Sequence, residues 1–276
     1  MFFNSIKAIS RPFHPSVRHG LHCLSGEMTR QCDRMLDFLC KFASVMRKLV
    51  LLLALTAAVF VAQGTTRRAT AAGHLSATAQ RLAKAGYTNV QDADPSIKVS
   101  LMYSRADNFT GTVLYSDLRE AYLHPKAAKA LAKAQARLRQ LRPGLSLKVY
   151  DAARPMSIQQ VMWDKVKNTP KDIYVSNPAH GGGMHNYGLA VDITICDEHG
   201  DTLDMGTKID YMGREAHIDA EATLVAQHRI SSKARANRRL LREVMTYGGF
   251  MPLRTEWWHF NLVSRATAKK YYKVIK

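Results

Sequence analysis

Two short stretches of the chain combine side chains that bind divalent metals with a further carboxylate. The first contains His185 and Asp192, and the second contains Glu256 and His259. Two imidazoles and one carboxylate can hold Zn²⁺ and leave a fourth position open for water, which is the arrangement of catalytic rather than structural zinc sites. The second carboxylate could then act as a base. The four residues therefore predict a zinc hydrolase.

A strand predicted over 189–195 carries the first carboxylate. Its apolar residues alternate onto one face, so Asp192 lies on the other face with Ala190 and Thr194. His185 precedes the strand in a loop with three glycines at 181–183, which let the backbone turn so that the imidazole can meet Asp192. Alone, this pair is weak evidence, because a surface histidine and a strand-edge aspartate often occur together by chance.

The second stretch leads into a strand predicted over 257–263. Residues three apart share a face on a helix but point to opposite faces on a strand. The aromatic and β-branched neighbours of Glu256 and His259 favour a strand. Glu256 must therefore lie at the lead-in to the strand or beside a bulge if both side chains are to reach one ion.

The remaining periodic segments predict the framework. Apolar stripes at helical spacing predict helices over 125–141, 157–167 and 231–247, and alternation predicts strands over 97–103 and 145–150. Helices and strands follow one another in mixed rather than strictly alternating order. This order favours an α+β fold with an antiparallel-rich central sheet flanked by helices.

The residues around the candidate site resemble the D-alanyl-D-alanine dipeptidases, a group that includes the vancomycin-resistance dipeptidases and is related to the Hedgehog signalling domain. The pattern of these proteins is SxHxxGxAxD followed by ExxH, and here it reads GMHNYGLAVD over 183–192 and EWWH over 256–259. Gly183 stands where the family usually has serine. We expect zinc binding to survive this change and substrate preference or rate to differ.

Three further stretches extend the resemblance, which runs from about residue 90 to residue 263. They read YSRADNFTG over 103–111, DAARP over 151–155 and MGTKID over 205–210. The resemblance implies an antiparallel-rich fold of the D-Ala-D-Ala metallopeptidase and Hedgehog type.

The resemblance also implies roles for seven side chains. One Zn²⁺ per chain would be bound by His185, Asp192 and His259. Glu256 would take a proton from the attacking water and return it to the leaving amine. Arg154 would hold the scissile carbonyl oxygen and the charge that grows on it. Tyr103 and Asp210 would shape the end of the pocket that receives the free ammonium of the substrate, which restricts the enzyme to dipeptides.

The implied function is zinc-dependent hydrolysis of the dipeptide D-Ala-D-Ala to free D-alanine in bacterial cell-wall turnover. One alternative is a D,D- or L,D-carboxypeptidase that acts on peptidoglycan stem peptides, although an acid that binds ammonium at position 210 would reject a blocked amino end. Another is an inactive zinc-containing module that binds the cell wall, against which the presence of Glu256 and Arg154 argues. Simpler interpretations also remain for single residues: Arg154 as a surface arginine, Asp210 as a turn residue and Tyr103 as part of the core.

The N-terminal segment predicts export. Arg47 and Lys48 precede a run of 14 residues that is apolar except for Thr56, and the stretch 46–64 is typical of a secretory signal peptide. The run is shorter than the roughly 20 residues of a bilayer span, so a retained anchor is the weaker interpretation. We interpret 1–45 as a mis-assigned upstream extension, 65–86 as a linker or frayed helix and 87–276 as the zinc dipeptidase domain. The expected location is the periplasm or cell envelope, with membrane contact only through the transient signal peptide.

The charge and the cysteine content of the chain limit which binding partners and which cysteine sites are expected. Residues 1–64 hold eight Lys/Arg and three Asp/Glu, so the net charge falls from +18 to +13 without them. Such a charge favours encounter with anionic polymers or membrane surfaces, and association with peptidoglycan is one expectation. The basic residues are spread along the chain with no nucleic-acid-binding motif, so a solvated basic surface is a better interpretation than a nucleic-acid site. Beyond residue 64 the only cysteine is Cys196, which excludes an internal disulfide and a cysteine zinc site there.

Overall fold

Seven strands lie in the part of the chain that the computed structural model describes, residues 75–276. They are β1 (Thr88–Asn89), β2 (Lys98–Val99), β3 (Tyr122–Leu123), β4 (Ser146–Asp151), β5 (Ala190–Cys196), β6 (Met251–Leu253) and β7 (Glu256–Asn261). One sheet has the order β2-β4-β5-β7-β6, and β1 pairs with β3. In the larger sheet β2 and β4 are parallel and the other pairs are antiparallel. The predicted α+β fold with an antiparallel-rich sheet is confirmed.

Seven α-helices accompany these strands in the described residues. They are α1 (Ala77–Lys84), α2 (Val90–Ala93), α3 (Pro125–Leu141), α4 (Met156–Val166), α5 (Glu221–Ala226), α6 (Ser232–Gly248) and α7 (Arg265–Tyr271). Single 3-10 turns occur at Met102–Ser104, Asp172–Tyr174, Pro178–His180, Met184–Tyr187 and Arg214–Ala216. Helix α3 has the bounds predicted for it, 125–141. Helices α4 and α6 are each shifted from the predicted ranges by one residue at each end.

Helices α3 and α6 cover one face of the sheet and form the main core with it. α3 begins with a proline in its first turn, where the missing N–H costs no helical hydrogen bond. α6 begins after Ser231, whose hydroxyl accepts from the Ala234 N–H, and ends at Gly249 in the left-handed conformation. The apolar stripes of these helices pack into a core cluster with Val191 and Ile193 of β5. The alternate residues of β5, including Asp192, therefore face away from these helices.

The strand predicted over 97–103 is wrong over most of its length. Only Lys98–Val99 is strand, and the chain then turns at Met102–Ser104. The carbonyl of Tyr103 accepts hydrogen bonds from the N–H groups of Leu114 and Tyr115, so this backbone binds a neighbouring loop instead of the sheet.

Of the two interpretations of 65–86, a linker or a frayed helix, the described part shows a helix. Ala77–Lys84 forms helix α1, with Ser76 as the N-cap and Ala79 and Leu82 buried. These two residues lie three apart on one face of the helix and belong to the main core cluster. The interpretations of 1–45 and 46–64 fall outside the described residues. Across 75–276, none of the helices combines the length and apolar character that crossing a membrane requires.

One face of α4 departs from its apolar pattern. Val161 is 41% exposed, whereas the polar Gln159 is 1% exposed. The Gln159 amide donates to the Ser176 carbonyl and accepts from Arg154, so its burial satisfies polar groups that would otherwise lack partners.

Candidate metal centre and substrate cavity

Strand register brings two of the predicted ligands together. Asp192 on β5 lies directly opposite His259 on β7 and is also paired with Asp151 on β4. Side chains of directly opposed residues in antiparallel strands lie on the same face and are close neighbours. Asp192 therefore reaches His259 through backbone pairing alone, although 67 residues separate them in the chain.

A tight turn supplies the third ligand. His185 lies in the 3-10 turn Met184–Tyr187, which ends at Gly188 with φ +65°. A β-carbon on Gly188 would lie 2.5 Å from the Tyr87 ring, so both the backbone conformation and the packing require glycine. This turn delivers the imidazole to the face of β5 that carries Asp192.

The three candidate ligands converge on one point. His185 Nε2 lies 3.2 Å from Asp192 Oδ2, and His259 Nδ1 lies 3.0 Å from Asp192 Oδ1. The two imidazole nitrogens are 3.2 Å apart. All three residues are buried, and their atoms form a group that could hold a metal ion.

Hydrogen bonds on the far side of each imidazole decide which nitrogen faces this point with a lone pair. His185 Nδ1 lies 2.8 Å from the Ala152 carbonyl, which can only accept, so Nδ1 carries the proton. His259 Nε2 lies 2.9 Å from the Asn261 amide oxygen and likewise donates. Two nitrogen lone pairs and a carboxylate then face one another without a donor between them. Such a group of acceptors fits a cation.

Glu256 lies beside this group as a buried carboxyl. It is the first residue of β7, and the register shifts between Pro252 and Leu253 on the paired strand, which matches the predicted lead-in beside a bulge. Its Oε2 is 3.9 Å from His259 Nδ1. Burial raises the pKa of Glu256 to about 8, and the carboxylate of Asp192 adds to this rise.

Arg154 is buried rather than on the surface. Its Nε and Nη2 donate to Asp151 Oδ2 at 2.9 and 2.6 Å, and Nη1 donates to Gln159 Oε1 at 2.9 Å. Burial disfavours the charged guanidinium, but the Asp151 carboxylate raises the pKa of Arg154 well above its ordinary value. Three of the five N–H groups are used here, which leaves two for another oxygen. Nη2 is 3.8 Å from Asp192 Oδ2, next to the ligand group.

Tyr103 and Asp210 form a pair at another part of the cavity. The Tyr103 hydroxyl donates to Asp210 Oδ2 at 2.9 Å, and Asp210 has the left-handed φ of +64° that few residues other than glycine adopt. Burial raises the pKa of Asp210 to about 7; the charge of Asp192 adds to the rise, and the Tyr103 hydrogen bond opposes it. Tyr103 is 2% exposed, so it belongs to the core while its hydroxyl reaches the site.

All seven residues line one cavity of about 520 Å³. The members are Tyr103, Arg154, His185, Asp192, Asp210, Glu256 and His259. A second cavity, of about 650 Å³, lies between α1 and residues 273–276 and contains none of them. The structure thus brings together every predicted site residue.

Sequence reasoning missed the residues that orient this group. Asp151 and Gln159 each accept hydrogen bonds from the Arg154 guanidinium. The Asn261 side chain faces Nε2 of His259, the ring nitrogen that points away from the metal group. The Asn186 amide donates to the Arg154 carbonyl at 2.8 Å. The spacing of Asp151 and Arg154 was a usable signal, since residues three apart can pair; the other contacts join segments that no spacing relates.

Comparison with known proteins agrees with this site. A family model described as peptidase M15, D-ala-D-ala dipeptidase, matches residues 83–276. The chain belongs to this family.

Named relatives support the same assignment. A D-alanyl-D-alanine dipeptidase of Escherichia coli (strain K12) is 39% identical over 174 residues, which cover 63% of this chain and 82% of the relative. A protein of the same name from Enterococcus faecalis is 25% identical over 202 residues, covering 68% and 96%. A third, from Streptomyces coelicolor, is 27% identical over 199 residues, covering 66% and 94%. The chain is a member of a metallopeptidase family, and its resemblance to the D-alanyl-D-alanine dipeptidases is confirmed.

Proposed function

We propose that this protein is a zinc dipeptidase that hydrolyses D-Ala-D-Ala to two molecules of D-alanine. One observation carries the proposal: three kinds of group line the same cavity. They are the candidate metal ligands His185, Asp192 and His259, the buried carboxyl of Glu256 and the buried carboxyl of Asp210. The first two supply hydrolytic chemistry, and the third selects a substrate with a free amino group.

The ligand set fits zinc. Nitrogen and oxygen ligands at zinc–ligand distances near 2.1 Å and tetrahedral angles lie about 3.4 Å apart. The contacts of 3.0–3.2 Å among His185, Asp192 and His259 are within a few tenths of an ångström of that separation. Bound zinc would polarise a water molecule and the scissile carbonyl, and would lower the pKa of that water to about 7.

Glu256 is placed to move the proton. Its carboxyl is next to the ligand group, so its carboxylate can take a proton from a water molecule held there, and its burial assists the later release of that proton. In the proposed reaction the Glu256 carboxylate takes the proton of the attacking water and then gives it to the amine that leaves as the peptide C–N bond breaks.

Arg154 is placed to stabilise the negative charge that develops on the carbonyl oxygen. Its guanidinium is held by Asp151 and Gln159, so its two remaining N–H groups keep a fixed direction. Fixed donors cost no reorganisation when the charge forms, and in mutational studies one such donor contributes about 10²–10³-fold in rate.

The Tyr103–Asp210 pair supports the dipeptide specificity. An ionised Asp210 in this buried position would form a charge-assisted hydrogen bond with the substrate ammonium. A peptide whose amino group is acylated would instead leave the carboxylate buried without a cation, which is costly. Longer stem peptides are therefore expected to be poor substrates, which separates this function from a D,D- or L,D-carboxypeptidase.

The predicted signal peptide over 46–64 supports export to the periplasm or cell envelope, where this substrate would arise from cell-wall turnover. The basic composition supports contact with peptidoglycan. N-terminal sequencing of the exported protein tests the first statement: we expect a start near residue 65. Recovery of peptides from 1–45 would contradict the interpretation of that segment as a mis-assigned extension.

The function is tested by D-alanine release from a substrate panel after chelation and zinc re-addition. We expect zinc-dependent cleavage of D-Ala-D-Ala and weak cleavage of N-acetyl-D-Ala-D-Ala, with D-Ala-D-Lac and a stem pentapeptide as further members. Equal cleavage of the free and acetylated dipeptides would favour the carboxypeptidase. Zinc binding without any hydrolysis would favour the inactive wall-binding module.

A further inference from the structure

The substrate carboxylate has no assigned partner in the proposed function. A free dipeptide carries an ammonium and a carboxylate, and the Tyr103–Asp210 pair suits only the ammonium. Apart from the two histidines of the metal group, two cationic residues line the cavity, Arg154 and Arg265. Arg154 is already bound to Asp151 and directed toward the metal group. Arg265 is therefore the cation that the proposed reaction leaves unused.

Arg265 is held at the glycine loop that precedes the ligand His185. Its Nη2 donates to the Gly182 carbonyl at 2.9 Å and to the His180 carbonyl at 3.3 Å. Both acceptors are neutral, and within residues 75–276 no carboxylate lies within ion-pair distance of Arg265. Arg265 is exposed at the lining of the cavity, and a guanidinium has five N–H donors, so three remain for an anion.

Ser176 lies beside the same loop and lines the same cavity. A β-carbon built on Gly183 would lie 3.1 Å from Ser176 Oγ and 3.3 Å from Ser176 Cβ. The Ser176 side chain thus occupies the space next to position 183, where the family pattern has a serine. The Ser176 carbonyl accepts from Gln159, which also holds Arg154, so Ser176 is fixed relative to the guanidinium.

We infer that Arg265 and Ser176 bind the terminal carboxylate of the dipeptide and that the Ser176 hydroxyl takes the place of the serine missing at Gly183. The inference rests on the proposed function, since it names the second recognition point of the same substrate. Arginine supplies charge and paired donors that match a carboxylate, and the serine hydroxyl beside the same loop supplies a further donor.

The test compares D-Ala-D-Ala with D-Ala-D-Ala amide, which keeps the ammonium and the scissile bond but lacks the charge. We expect the wild-type enzyme to prefer the free carboxylate. Arg265→Gln should lower kcat/KM for D-Ala-D-Ala about 10- to 100-fold, mainly through KM, and change the amide by less than about threefold. Arg239→Gln, an exposed arginine on α6, serves as the matched control and should change neither substrate.

An equal loss for both substrates would overturn the inference, because it would mean that Arg265 only supports the loop. Calorimetric binding of the two dipeptides to zinc-loaded Glu256→Gln protein, with and without Arg265→Gln, gives the same comparison without turnover. If protein with the wild-type Glu256 bound D-Ala-D-Ala in preference to the amide but did not hydrolyse it, the proposed function would be overturned and the carboxylate site kept.

The serine exchange tests the second residue. Ser176→Ala should lower kcat/KM for D-Ala-D-Ala several-fold and leave the amide nearly unchanged. The double variant Ser176→Ala/Gly183→Ser should regain most of the loss, because removal of Oγ opens space for the new side chain. Gly183→Ser alone should not improve activity, given the 3.1 Å approach to Ser176. A double variant no better than Ser176→Ala would contradict the exchange.

Discussion

The two ends of the cavity are built by different means. At the metal end, which comprises His185, Asp192 and His259, two of the three residues are paired across adjacent central strands. At the ammonium end, Tyr103 lies in a 3-10 turn and Asp210 in a loop, 107 residues away along the chain. Backbone hydrogen bonds therefore fix the reactive groups, whereas side-chain contacts between loops fix the recognition groups. We expect changes at the metal end to abolish chemistry and changes at the ammonium end to alter selectivity.

Asp192→Asn gives the largest expected effect, because it removes the charged ligand from the metal group. Zinc content and activity should both be lost. In the wild-type protein, zinc at 1,000 times its Kd should stabilise the fold by about 4 kcal/mol, which corresponds to a rise in Tm of roughly 10 °C. The variant should show no such rise in a thermal melt with and without zinc. A variant with full zinc content would break the assignment of the metal end.

Glu256→Gln should keep the metal but lower kcat by about 10²–10⁴-fold, since it removes proton transfer and leaves the three ligands intact. Metal analysis and D-alanine release measure the two properties separately. Glu198→Gln, at a highly exposed glutamate, is the control and should leave both unchanged. Turnover at the wild-type rate in Glu256→Gln would exclude the assigned base.

Asp210→Asn should act on selectivity. The loss of its charge should lower kcat/KM for D-Ala-D-Ala by about 10- to 100-fold and bring it close to the value for N-acetyl-D-Ala-D-Ala. Zinc content should not change, because Asp210 is not one of the three converging ligands. If the variant instead lost activity on both substrates equally, the two ends of the cavity would not be separable in function.

The smallest expected effect is a dependence of KM on pH. The pKa of Asp210 near 7 means that the carboxylate is charged above this pH and neutral below it. The substrate ammonium has a pKa of about 8, so binding should be strongest between about pH 7 and 8 and about fivefold weaker at pH 6. Measurement of KM from pH 5.5 to 8.5 tests this expectation. In Asp210→Asn the increase of KM below pH 7 should disappear. If KM of the variant still increased below pH 7 as in the wild-type protein, another titrating group would be responsible.

Local patterns predicted the elements that carry the metal end. Helix α3 has the predicted bounds, because its apolar stripe, initial proline and following Pro-Gly are all local signals. Strands β5 and β7 were found through alternation and aromatic content, and their pairing places Asp192 opposite His259. The residues of the metal end could be named because their two motifs resemble those of the D-alanyl-D-alanine dipeptidases, whereas the spacing alone was weak evidence for a shared metal.

The amino-acid sequence by itself determined the α+β class and the main helices, and its resemblance to the D-alanyl-D-alanine dipeptidases named the residues that meet in the cavity. Only the tertiary structure decided that Gln159 rather than Val161 points inward, that Tyr103 binds Asp210 and that Ser176 lies beside Gly183. Periodicity reports whether a side chain faces the core, and it depends on residues a few positions away. A hydrogen bond between two loops depends on how distant segments pack, so its partners become visible only in the folded chain.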